Sequence, residues 1–194
     1  MDQNLKDLIL SQVSGTVQDK LASRNKLDTS TTSTAVEDAL TAILGGLQQN
    51  VKTKSGAEKL DTALAKDHSG SVLEDLAGAV SDGSLQGDGG KILSHIFGRK
   101  KADVTDKVAE SSGVNSSTAG DILSTLAPIV LGQLGKTKKS EGLDAGGVAD
   151  KILRQQLPKG TLATLLTGLL DRDKDGQIVD DILDMGQGVL GRKK

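Results

Sequence analysis

The residues whose types and spacing can do chemistry lie near the C-terminus, in Asp171-Arg172-Asp173-Lys174-Asp175-Gly176-Gln177-Ile178-Val179-Asp180-Asp181-Ile182. Counted from Asp171, carboxylates fall at the first, third and fifth positions and a glycine at the sixth, which is the opening of an EF-hand-type calcium loop. A hard divalent cation takes about six to eight oxygens, and a tight loop supplies them by pointing alternate side chains inward. Gly176 permits the reversal. The seventh ligand is a backbone carbonyl, so Gln177 serves whatever its side chain, and Ile178 ties the loop to the core. Leu162 to Leu170 and Ile182 to Leu190 are the entering and leaving helices.

The twelfth position, where a standard loop carries a bidentate Glu, is Ile182, with Asp181 one place early and Asp180 two. Shortened loops of the dockerin-like kind close with such an early acid, so Asp181, or else Asp180, is the expected closing ligand of a loop over 171–181. Closure by an Asp places the expected affinity in the weaker part of the ~10⁻⁶ to 10⁻³ M range, and magnesium, which favours a small octahedral cage, fits less well. The alternative is an acidic turn whose last two Asp residues complement a helix N-terminus. Ser81 to Gly90, the matching stretch of the first half, holds too few acids in register for a second site. A single unpaired loop favours a structural ion over a cooperative sensor.

Other polar residues carry less. His68, in Lys66-Asp67-His68-Ser69, lacks an orienting acid or an oxyanion-hole motif and reads as a helix-end histidine. His95 lies in an apolar helix. Arg99-Lys100-Lys101 and Arg192-Lys193-Lys194 read as complements of helix C-termini, and Lys136-Thr137-Lys138-Lys139 as a solvated loop.

The elements that position the loop are helices. Leu5, Leu8, Ile9, Val13, Val17 and Leu21 recur at three- and four-residue steps, as do Val36, Leu40, Ile43, Leu44, Leu47 and Val51. Thr34 to Glu37 fits a capping box, and Asn115-Ser116-Ser117 a helix start. Gly45-Gly46, Gly87 to Gly90 and Gly146-Gly147 read as seams between helices, and Pro128 as a kink. A shift of 87 positions aligns Asp19-Lys20-Leu21-Ala22 with Asp106-Lys107-Val108-Ala109 and Ile43-Leu44-Gly45-Gly46-Leu47 with Val130-Leu131-Gly132-Gln133-Leu134. Both halves end alike, in Phe97-Gly98-Arg99-Lys100-Lys101 and Leu190-Gly191-Arg192-Lys193-Lys194. The expected fold is all-α: a multihelical array of about ten short helices in two pseudo-repeated halves, 1–98 and 99–194, or one continuous domain. Its C-terminal end is the EF-hand-like helix–loop–helix, and its core is Leu, Ile, Val and Ala.

Composition removes whole classes of function. The 194 residues include no Cys, Trp or Tyr and a single aromatic, Phe97. Disulfides, thiolate metal sites and cysteine nucleophiles are therefore excluded, and aromatic stacking platforms are disfavoured. The net charge of −2 is spread along the chain, so no basic field offers itself to nucleic acid. The acid-bearing start Met1 to Asp7 and the short apolar stretch Ile122 to Leu134 suit neither a signal peptide nor a membrane span, and the expected location is cytoplasmic.

Gly89 to Gly98, followed by Leu123 to Gly135 and by the Asp-rich loop running into Asp180-Asp181-Ile182-Leu183, resembles a bacterial domain-of-unknown-function family grouped with YidB-like proteins. The tryptophan-containing segment of the YidB branch itself is missing. The resemblance covers most of the chain and implies an all-helical bacterial protein; it implies no activity. The expected function is a non-enzymatic interaction or scaffold module with one structural calcium ion, an unknown protein partner, and self-association as a further option. A calcium-responsive regulator is the alternative, and a hydrolase comes last.

Overall fold

The computed structural model describes residues 5–155 together with Leu162, Leu166, Gly168 and Leu169. The fold is all-helical, and among the described residues there is no strand. In chain order the helices are α1 (Leu5–Val13), α2 (Thr16–Asn25), α3 (Thr29–Asn50), α4 (Lys54–Lys66), α5 (Leu76–Asp82), α6 (Ser84–Phe97), α7 (Lys101–Ser112), α8 (Ser116–Glu141) and α9 (Ala145–Leu153). Two of them, α3 and α8, are long and lie against each other at the centre, with α6 and α7 against both. Their aliphatic faces merge into one core: Leu40, Ile43, Leu44, Ile122, Leu123 and Val130 are all fully buried. Phe97, the single aromatic, is buried with them.

Local chemistry explains where the long helices start. The side chain of Asp28 accepts the Thr31 N–H at 2.8 Å, and that of Asn115 accepts the Thr118 N–H at 2.9 Å. Each satisfies one of the N–H groups that a helix start leaves free. The start expected at Thr34 is therefore six residues upstream of that position, at Asp28: the Thr34 hydroxyl donates to the Ser30 carbonyl inside α3 and caps nothing. The Asn115 start holds. The same spacing of 87 residues relates the preceding helix ends, where the Leu27 N–H reaches Ala22 O and the Val114 N–H reaches Ala109 O, past the left-handed Lys26 and Gly113. Long-range contacts come in matched sets as well. Gln48 on α3 donates to Gln155 O at the end of α9, while Gly135 on α8 lies against His68 O at the end of α4, both pairs offset by 87.

The glycines work differently from the expected seams. Gly45 and Gly46 lie inside α3, Gly87, Gly89 and Gly90 inside α6, and Gly146 and Gly147 inside α9. At two of these positions the missing side chain is what lets helices meet. A Cβ on Gly46 would stand 2.5 Å from Ile96 and Phe97, and one on Gly89 would stand 1.7 Å from the Ser124 carbonyl oxygen. Pro128, inside α8, explains that second contact. It has no N–H to give to Ser124 O four residues back. The backbone of Gly89 closes over that carbonyl instead, at the kind of approach where a Cα–H faces oxygen.

Two basic segments are also placed differently. Lys136 to Lys139 continues α8 and is no loop: Thr137 is buried, and Lys138 pairs with Asp61 on α4 and donates to Leu143 O at 3.0 Å. These partners on α4 and before α9 hold α8 helical to Glu141, where Gly142 ends it. Lys101 begins α7 rather than closing a helix, and its ammonium donates to Gly90 O at 2.9 Å on α6.

Candidate functional site

The calcium-loop residues Asp171, Asp173, Asp175, Gln177, Asp180 and Asp181 lie outside the described residues, as does the leaving helix. Of the entering helix, Leu162 and Leu166 are helical and buried in the common core, and Leu169 is partly buried against it. The matching stretch of the first half is the α5–α6 turn. There Gly83 is left-handed (φ +72°) and Asp82 accepts the Ser84 N–H at 2.9 Å, which holds its carboxyl below the usual value. Among the described residues no three His, Asp or Glu side chains converge as a metal site would require.

What the described residues do form is a groove of about 400 Å³ between α4 and α6, floored by α3 and α8. Leu47, Leu60, Ala63, Ile92, Ile96 and Leu131 supply its aliphatic walls. Asn50 helps fix its width, its side-chain amide donating to Ile96 O at 3.1 Å across α3 and α6. The titratable side chains that line it are Lys59, His68 and His95, all basic. His68 follows the end of α4, as its sequence setting suggests, and is half-buried, while Lys59 and His95 are exposed on their helices. Burial pushes the His68 imidazole below its ordinary value, against the opposing pull of Asp67 and Asp88. It therefore presents a neutral ring at neutral pH, able to donate one N–H. Nothing local in the sequence joins His68 to His95; their shared groove exists only because α4 and α6 flank the same two central helices.

A second polar cluster is closed on itself. Arg24 on α2 donates to Asp121 Oδ2 on α8 through Nε at 3.0 Å and Nη2 at 2.6 Å. The same guanidinium reaches Val80 O at 2.7 Å and Thr125 Oγ1 at 2.6 Å. Asn25 donates to Asp121 Oδ2 at 2.9 Å, and Gln86 on α6 donates to Oδ1. Three helices, α2, α6 and α8, meet at one carboxylate and the guanidinium ties in α5 through Val80 O, with both charged side chains less than a quarter exposed. The Arg24 guanidinium nitrogens and both Asp121 oxygens already have partners, so the ion pair holds the fold together and is not free to engage a substrate. Sequence reasoning misses it because its members are 97 residues apart.

Among the described residues, Asp38 on α3 is the carboxylate with a buried oxygen, Oδ2, left without a hydrogen-bond partner. Burial raises its pKa above the ordinary carboxylate value, with Ser111 and Lys6 pulling the other way and Glu37 adding to the rise. The folded protein thus holds that proton more tightly than the unfolded chain. The penalty is absent below the unfolded value of 3.8 and grows as pH rises through the folded one. Asp38→Asn is expected to raise the midpoint of denaturant unfolding at pH 7 and to lose that advantage as pH falls toward 4. An equal effect of the substitution at both pH values would contradict the assignment.

Comparison with known proteins places this architecture. A family model described as "Bacterial protein of unknown function (DUF937)" matches residues 7–137, from α1 through nearly all of α8. The match takes in both long helices and the wall of the groove that α4 and α6 build, and it ends before the Asp-rich loop. No curated protein and no solved structure matches the chain.

Proposed function

The chain belongs to the DUF937 family of bacterial proteins of unknown function, and from there we propose that it is a non-enzymatic interaction or scaffold module carrying one structural calcium ion. What supports the module reading above all is the use of its polar groups: the cluster around Arg24 and Asp121 is spent on joining helices, and the groove is walled by aliphatic side chains. The calcium ligands of the proposal are Asp171, Asp173, Asp175, the Gln177 carbonyl and Asp181 or Asp180. Their spacing carries that part. Buried Leu162 and Leu166 root the entering helix in the core, where an ion in the next loop would tie the last helix pair down. A cytoplasmic location and a YidB-like grouping belong to the same proposal.

The proposal includes an ancestral duplication. Matched caps at Asp28 and Asn115, matched helix ends at Lys26 and Gly113, and the crossed contacts Gln48–Gln155 and Gly135–His68 support it. So does the pairing of Arg24 with Thr125, whose counterparts at a spacing of 87 are Ser111 and Asp38, themselves hydrogen-bonded. On this reading each half completes its packing on the long helix of the other.

Calorimetric titration and thermal melting of the full chain with calcium, magnesium and a chelator test the metal. The expected result is one calcium site with a raised Tm, by about 2.7 kcal/mol of added stability at a hundredfold excess over Kd, and loss of both with Asp173→Asn. Unchanged apolar dye binding on loading agrees with a structural ion, whereas calcium-dependent exposure of apolar surface would favour the regulator. No heat and no shift in Tm would remove the metal from the proposal.

A further inference from the structure

We propose that the groove between α4 and α6 binds the anion of a medium-chain fatty acid, its alkyl chain lying among Leu47, Leu60, Ile92, Ile96 and Leu131 and its carboxylate paired with the Lys59 ammonium at a rim that His68 and His95 also line. The inference concerns the groove alone and stands apart from the calcium loop. Size, wall chemistry and charge point the same way. A volume of about 400 Å³ falls in the range of small-molecule pockets, roughly 300–1,000 Å³, and equals only about one turn of an α-helix ~10 Å across. A partner helix would need a longer trough; an extended alkyl chain fits this one. The walls are aliphatic and contain no aromatic ring, which suits a slim flexible chain better than a flat heterocycle.

Charge complementarity selects the head group. The titratable side chains lining the groove are basic, and Asp67 and Asp88 act on His68 from outside that lining. One ammonium at Lys59 balances one negative charge, and the imidazoles of His68 and His95 add N–H donors that a carboxylate accepts and a quaternary ammonium cannot. The pattern is particular to this half of the chain. At a spacing of 87, Lys59, Leu60, Ala63 and His68 correspond to Gly146, Gly147, Asp150 and Gln155, which supply neither the aliphatic wall nor the basic rim. Generic packing of the repeated helices therefore does not demand these four residues.

Titration calorimetry of the full chain with octanoate, decanoate and dodecanoate, each below its micelle concentration, tests the proposal. The expected result is saturable one-to-one binding that tightens about fourfold for each added CH₂ until the groove is full. Decanol and decyltrimethylammonium should bind at least about tenfold more weakly than decanoate, the order of one lost charge-assisted hydrogen bond. Lys59→Glu, an exposed change that leaves the core alone, should weaken decanoate and leave decanol unaltered. Ala63→Trp should fill the groove, abolish binding, and report its own burial by the only indole fluorescence in the chain. Non-saturable uptake, equal affinity for decanol and decanoate, or decanoate binding that survives Ala63→Trp would overturn the proposal. So would failure of the full chain to bind any of the three acids, the result expected if residues 156–194 or a second copy of the chain cover the groove.

Discussion

Gly89→Ala is expected to destabilise the protein by about 3 kcal/mol, the upper part of the range for overpacking a tight contact, and to lower Tm by roughly 6–12 °C. The added Cβ would stand 1.7 Å from Ser124 O, and backbone cannot rotate out of the way as a flexible side chain can. Either α6 must lift from α8, opening the core at Leu93 and Leu123, or α8 must bend at Pro128. Gly87→Ala, two residues away in the same helix, is the control. Nothing lies within 4 Å of its Cβ position, so that change should stabilise α6 by ~0.5–1 kcal/mol through helix propensity. Thermal and urea unfolding of the two variants should therefore move in opposite directions. Two shifts of the same sign would mean that helix propensity, and not the α6–α8 approach, governs both positions.

Asp121→Ala should cost on the order of 3 kcal/mol, because it leaves the Arg24 guanidinium largely buried beside Val80 O and Thr125 without its counter-charge. Asn25 and Gln86 lose an acceptor at the same stroke. Replacing both charges, Arg24→Met with Asp121→Leu, removes the desolvated ions together and should recover a good part of the loss. A double-mutant cycle by urea unfolding reads this directly. If the double variant is less stable than Asp121→Ala alone, the surrounding hydrogen bonds, rather than the ion pair, hold these four helices.

The two sites teach different things about what a sequence shows. The helices were legible because their signals are local: apolar residues at three- and four-residue steps, an Asn before α8, a glycine after α7. Even the spacing of 87 residues that relates the matched caps at Asp28 and Asn115 was readable, since it compares one stretch of chain with another. The proposed calcium loop rests on the same kind of local signal, a ligand spacing contained in eleven consecutive positions. The α4–α6 groove was not, because Lys59, His68 and His95 share no local pattern.

By itself, then, the sequence determined an all-helical protein with an aliphatic core and without thiol chemistry, because periodicity, capping and composition act within a few residues. Only the tertiary structure decided what the glycines are for. Read along the chain, Gly46 and Gly89 look like breaks; read across helices, they are points of closest approach, and the contact at Gly89 depends on a proline 39 positions away. The partners of Arg24 and the basic rim of the groove belong to the same class. Each is a relation between residues that only packing brings together, and no short-range preference encodes which distant side chain will arrive.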